Sequence, residues 1–262
     1  MTETSIDDII ASLEAIITAC IAANSRLGYF AALYLKVTKS VKAGIASGQF
    51  QDGARMEKLD VVFASRYLDA YGAWKKGDKP TASWAIAFEQ AAKSEVLVLQ
   101  HLLLGMNAHI NLDLGIAAVE VCQGQPLAVL QQDFDAINTI ISSLTNQVLA
   151  ELGQVSPLLS LLGLHASNYN SALIQFSIDN ARDGAWCFAE DLIVKQGGAY
   201  TACITQRDQT IAQLGQSLVH TTGFMRLTIW IIHIFEWHSP AKIIRALNEY
   251  QKKKIVVNAG NH

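Results

Sequence analysis

Leu99-Gln100-His101-Leu102-Leu103-Leu104-Gly105-Met106-Asn107-Ala108-His109-Ile110-Asn111-Leu112-Asp113-Leu114 lies in the longest helical pattern of the chain, residues 81–123. Its Leu, Ala and Val residues fall on several faces rather than one stripe, as expected of a helix buried all round. This segment is therefore read as the centre of the fold. Gly105 and Asn107 mark the place where it would kink or divide.

Outward from this centre the pattern stays helical. Ile6, Ile9, Ile10, Leu13, Ile16, Ile17, Cys20 and Ile21 recur every three or four residues, with Ser5 as N-cap and Asp8 completing a capping box. A second helix, residues 26–47, presents Leu27, Phe30, Leu33, Tyr34, Val37, Val41 and Ile45 and stops at Gly48. Asp52 caps a third, with Met56, Leu59, Phe63, Tyr67 and Trp74 facing inward, and Gly77-Asp78-Lys79-Pro80 ends it. Pro126 opens the next helix, and further patterns cover 168–195, 201–218, 222–237 and 239–250. The expected fold is all-α: one multi-helix, orthogonal or bundle-like domain over residues 1–262. It has about 8–10 helices, no significant β-sheet, and a flexible C-terminal tail at 251–262.

Composition narrows the function classes. Apolar residues make up 51% and charged residues 16% of the 262, against roughly 45–50% and about 25% in ordinary domains. That excess implies a large interior or a face covered by a second copy, so a homodimer is a reasonable expectation. A net charge of −3 gives no basic footprint for nucleic acid. Cys20, Cys122, Cys187 and Cys203 show no CxxC spacing and read as reduced core thiols of a cytoplasmic protein. No secretion signal opens the chain, and no transmembrane segment is expected. The apolar stretch 224–237 is interrupted by Arg226, His233 and Glu236 and reads as a buried helix, its His233 flanked by the core aromatics Trp230 and Trp237. The signatures of dinucleotide, phosphate-loop, serine-hydrolase and zincin sites are absent, as are paired Glu-x-x-His motifs.

The candidate chemistry returns to the central segment. On a regular helix His101, His109 and Asp113 fall within a sector of about 120°, with Gly105 between them allowing close approach. Asn107 and Asn111 complete the polar set. His109 and Asp113, at i and i+4, can share a divalent metal; alternatively Asp113 accepts a hydrogen bond from His109 and fixes its tautomer. Arg182 and Asp183 read as a structural ion-pair clamp beside the core aromatic Trp186. Arg66 and Asp69 read as a local or interhelical salt bridge that Asp60 can join.

The runs Gly28-Tyr29-Phe30-Ala31-Ala32-Leu33-Tyr34, Arg55-Met56-Glu57-Lys58-Leu59-Asp60, Leu104-Gly105-Met106-Asn107-Ala108-His109-Ile110-Asn111-Leu112-Asp113 and Arg182-Asp183-Gly184-Ala185-Trp186 resemble an uncharacterised bacterial family, number 5995 in the domain-of-unknown-function series. The resemblance covers about residues 20–195, its Asn-Ala-His-Ile motif is the specific part, and it implies an all-helical fold. The His109 to Asp113 fragment is also similar to a helix of zinc-dependent phospholipases C. There, however, a further histidine is expected near Val119, and an N-terminal Trp ligand has no counterpart here.

Two functions follow as expectations. In the preferred one, the protein is a scaffold or small-ligand binder whose polar residues form a closed buried network around residues 107–113. In the other it is a metal-assisted, phosphoester-type hydrolase. His109 and Asp113 would then be ligands, with Asp69, Asp183 or His101 arriving from elsewhere.

Overall fold

A computed structural model describes residues 4–122, 124–167 and 171–249. The expected tail at 251–262 lies outside the described residues. Among those described, all regular structure is helical: α1 (Ile6–Ala22), α2 (Gly28–Ala46), α3 (Gly53–Lys76), α4 (Ala82–Gln90), α5 (Val98–Ala108), a π-helical turn (His109–Asp113), α6 (Leu114–Cys122), α7 (Ala128–Val155), a 3₁₀ segment (Leu159–His165), α8 (Ala172–Gln175), α9 (Ile178–Ile193), α10 (Gly197–Val219), α11 (Gly223–Phe235) and α12 (Pro240–Glu249).

The helix boundaries follow from local chemistry. Ser5 and Asp8 form both bonds of the capping box that starts α1. Asp52 accepts from the Arg55 N–H at the start of α3, and Gly77 ends that helix with φ 83°, a left-handed conformation that suits glycine. The twelve α-helical segments exceed the eight to ten expected, for two reasons. The 81–123 pattern stops at Gln90 and restarts at Val98, and the 168–195 pattern divides into α8 and α9, where Ser177 caps anew. The expected break at Gly105 does not occur; that glycine lies within α5.

Helices α5 and α6 run through the π turn as one 25-residue rod, Val98–Cys122. The rod packs against α2, α3, α4, α9 and α10, which makes it the axis of the fold. Among the described residues this rod is the one single helix long and apolar enough to cross a membrane. Two bent pairs, α7 with the 3₁₀ segment and α10 with α11, meet the same measure if each pair counts as one span. Within the rod, 83% of the most apolar window is buried inside the fold. Its apolar surface is thus turned toward protein. Gly105 is the point of closest approach: a Cβ there would overlap the Phe30 ring of α2. Phe30 in turn packs edge-on against Tyr67 and Trp84, at 5.0 and 5.4 Å.

Two expectations about the periphery are corrected. Helix α11 buries Met225, Thr228, Ile229 and Ile232, but Phe224, Leu227, Trp230, Ile234, Phe235 and Trp237 are exposed. The apolar stretch is amphipathic by shape rather than by composition, because its outer face is aromatic and aliphatic instead of polar. His233 is not a core histidine between tryptophans; it contacts His238 at 5.2 Å. Among the cysteines, all free, Cys20 and Cys122 are buried as expected, whereas Cys187 is exposed on α9 and Cys203 is half-buried.

Candidate functional site

The π turn sets the geometry. One extra residue per turn widens the helix between His109 and Asp113, and both side chains remain on the inner side, 2% and 1% exposed. Asp113 collects three donors. Arg66 Nε of α3 donates to Oδ1 at 3.0 Å, Trp84 Nε1 of α4 donates to Oδ2 at 2.8 Å, and His109 Nδ1 lies 3.3 Å from the same Oδ2. A carboxylate holding two such donors acts as acceptor toward the imidazole, so Nδ1 carries the proton. Burial pushes the His109 pKa down, against the opposing pull of Asp113, so the ring is neutral and its Nε2 is a bare lone pair.

That Nε2 is buried and has no hydrogen-bond partner among the described residues. The ring is clamped by a stacked Phe63, 3.6 Å away at 8°, and by an edge-on Tyr34 at 4.5 Å. Tyr34 and Phe63, together with His109, wall a cavity of about 240 Å³ between α2, α3, the π turn and α7. Leu33, Met106, Ile141 and Leu152 continue this lining, which is aliphatic and aromatic almost throughout.

Three more residues of the cavity lining share the condition of His109: the Tyr34 hydroxyl, Asp60 Oδ2 and Arg182 Nε are buried without a partner among the described residues. Burial, aided by the charge of Glu57, raises the Asp60 pKa to about 8, so at neutral pH it is mainly the protonated acid. Burial also pushes the Tyr34 phenol well above its ordinary range. The wall is therefore desolvated and uncharged at these two groups, while Arg182 remains a cation within the same lining.

The nominated residues separate into groups. His109, Asp113 and Arg66 come together, and Arg66 also approaches Glu120 at 3.6 Å rather than pairing with Asp69, which is exposed. Asn107 and Asn111 bond each other at 3.1 Å on another side of the rod, where Asn107 reaches the Ile211 carbonyl at 2.8 Å and Arg207 donates to the Asn111 carbonyl at 2.9 Å. His101 stands apart against Tyr29, because the eight helical steps from it to His109 put it about 12 Å away along the rod at 1.5 Å per residue. Among the described residues Arg182 forms no carboxylate clamp: it donates to the Phe134 carbonyl and lies over the Phe134 ring at 4.4 Å, while Asp183 faces solvent. Trp186 is half-buried, tilted against Phe134 at 4.9 Å.

Sequence reasoning missed Trp84, Tyr34 and Phe63 as parts of the site, and Asp60 as part of this cavity. Asp60 was detectable: it lies one turn from both Met56 and Phe63, on the face assigned to the core. Trp84 carried no such signal, since only the tertiary fold brings it to Asp113. For a metal, the set is thin. No group of three or more His, Cys, Asp or Glu converges among the described residues, and both Asp113 oxygens are already engaged.

A model of a family of unknown function, DUF5995, matches residues 6–221. Neither the curated proteins nor the solved structures provide a match to the chain. The similarity to zinc-dependent phospholipases C finds no support in these comparisons.

Proposed function

The chain belongs to DUF5995, a family of unknown function, and we propose that it binds a small apolar molecule in the cavity between α2, α3, the π turn and α7. One observation carries this reading: an almost wholly apolar cavity in the centre of the fold, walled in part by a fixed, neutral histidine. Ligand sites are concave and mostly apolar, with a few placed polar groups that orient the ligand.

Size restricts the ligand. At about 240 Å³ the cavity falls below the roughly 300–1,000 Å³ of drug-sized pockets, so the guest is small or thin. The Asp113 network serves this function by fixing the ring and its tautomer, as a carboxylate bonded to the far nitrogen does for histidines that hold a ligand.

The test is titration of the purified protein with n-decane and with an environment-sensitive apolar dye, beside an Ile141→Trp variant that fills the cavity. Saturable 1:1 binding, lost in the variant at unchanged thermal stability, is expected. Absence of saturable binding, or equal binding by the filled variant, would overturn the reading.

A further inference from the structure

Helix α11 is apolar on both of its sides. Met225, Thr228, Ile229 and Ile232 face the fold. At about 100° per residue, Phe224, Leu227, Trp230, Ile234 and Phe235 fall on the opposite arc and are exposed, as is Trp237 just past the helix end. These six side chains, 41–64% exposed, leave on the order of 600 Å² of apolar surface uncovered, taking about 150–250 Å² for a whole aromatic side chain. The largest patch on a monomer is roughly 300–600 Å² and commonly serves a function. One side of a stable protein interface is about 800 Å², of which an apolar centre inside a polar rim makes up the greater part. The α11 face has the size of such a centre.

We infer that this face is covered by a second copy of the chain, the two α11 helices packing antiparallel across a twofold axis near Trp230. Composition and spacing select this occupant. Interface centres are rich in Trp, Phe and Arg and poor in Lys, Asp and Glu; α11 holds Phe224, Trp230, Phe235 and Arg226, with no Lys, Asp or Glu. Leu227, Trp230, Ile234 and Trp237 recur at steps of three, four and three, the seam of two packed helices. A helix that lies on lipid carries rows of Lys and Arg beside its apolar face, whereas α11 offers a single arginine.

Charge sets the direction of the pairing. Arg226 is the fourth residue of α11, at the positive end of its own helix dipole, where a cation is disfavoured. A parallel copy would bring two such arginines together. An antiparallel copy sets each beside the last turn of the other helix, the end that favours a cation. In that register Leu227 of one protomer lies opposite the partner's Ile234, and the two Trp230 side chains meet at the centre, where buried aromatics contribute most to binding.

Sedimentation equilibrium of the full chain at micromolar concentration should give twice the 28.5 kDa of one copy. Trp230→Glu should raise the dissociation constant at least about thirtyfold, as loss of a central aromatic anchor does. Its helical circular dichroism should not change, because the side chain is exposed. Leu227→Glu and Ile234→Lys should each be monomeric alone, and an equimolar mixture of the two should recover the dimer, since each glutamate then faces a lysine. A monomeric wild-type chain overturns the inference; if that monomer sediments with vesicles of phosphatidylcholine and phosphatidylglycerol, the face belongs to a lipid surface instead. A dimer that Trp230→Glu leaves intact also overturns it and places the interface elsewhere. A mixture that stays monomeric contradicts the antiparallel arrangement.

Discussion

Asp113 and Asp60 are both buried, at 1% and 7% exposure, in neighbouring parts of the same core, and the fold treats them in opposite ways. Asp113 accepts from Arg66, Trp84 and His109, groups drawn from α3, α4 and the π turn. Asp60 Oδ2 has no partner among the described residues, and the acid keeps its proton up to about pH 8. The first region is satisfied and structural; the second meets the cavity. The difference teaches where to look for function: a polar group the fold has answered holds the protein together, whereas one left unanswered marks the part of the core that was not built for stability alone.

Mutations can break or sharpen this contrast. The largest effect belongs to Asp113→Leu, which strands the Arg66 guanidinium, the Trp84 N–H and the His109 N–H together. A loss of about 3–5 kcal/mol is expected in urea unfolding. Gly105→Ala comes next, because its Cβ must displace Phe30, a wall of the cavity packed against Trp84 and Tyr67. It should lose about 1–3 kcal/mol and weaken decane binding in the same titration.

Asp60→Asn should move stability the other way. The folded acid holds a proton that the unfolded chain releases near pH 4, so the Asp60 contribution falls as pH rises from about 4 to about 8. Removing it should stabilise the fold at pH 8 by about 1–3 kcal/mol, with little change at pH 4, as read from thermal melts at both pH values. The smallest effect is that of Asp69→Ala. This exposed carboxylate is outside the network and should change stability by less than about 0.5 kcal/mol. A large loss there would return Asp69 to the Arg66 pairing that the sequence suggested.

What was legible in the sequence was periodicity and its punctuation. The apolar spacing of residues 6–21, the Ser5 capping box and the Asp52 cap describe α1 and α3 as they stand. The pairing of His109 with Asp113 was also legible, because four residues keep two side chains on one side of either an α or a π turn. The π turn itself was not, since a one-residue insertion in helical phase leaves no mark in composition; and a shared angular sector placed His101 beside His109 although about 12 Å of helix separates them. Nor could spacing find Trp84, 29 residues from its acceptor, or show that α11 turns Trp230 and Phe235 outward. Those facts depend on which helix packs against which face, and the apolar residues of α11 occur on every side.

The most direct measurement is the imidazole ¹⁵N spectrum of histidine-labelled protein at pH 7, assigned by His109→Phe. The account predicts a neutral ring with the proton on Nδ1 and a bare Nε2, and a shift of the ring resonances when decane is added. A doubly protonated ring, or a proton on Nε2 with Nδ1 bare, would contradict it.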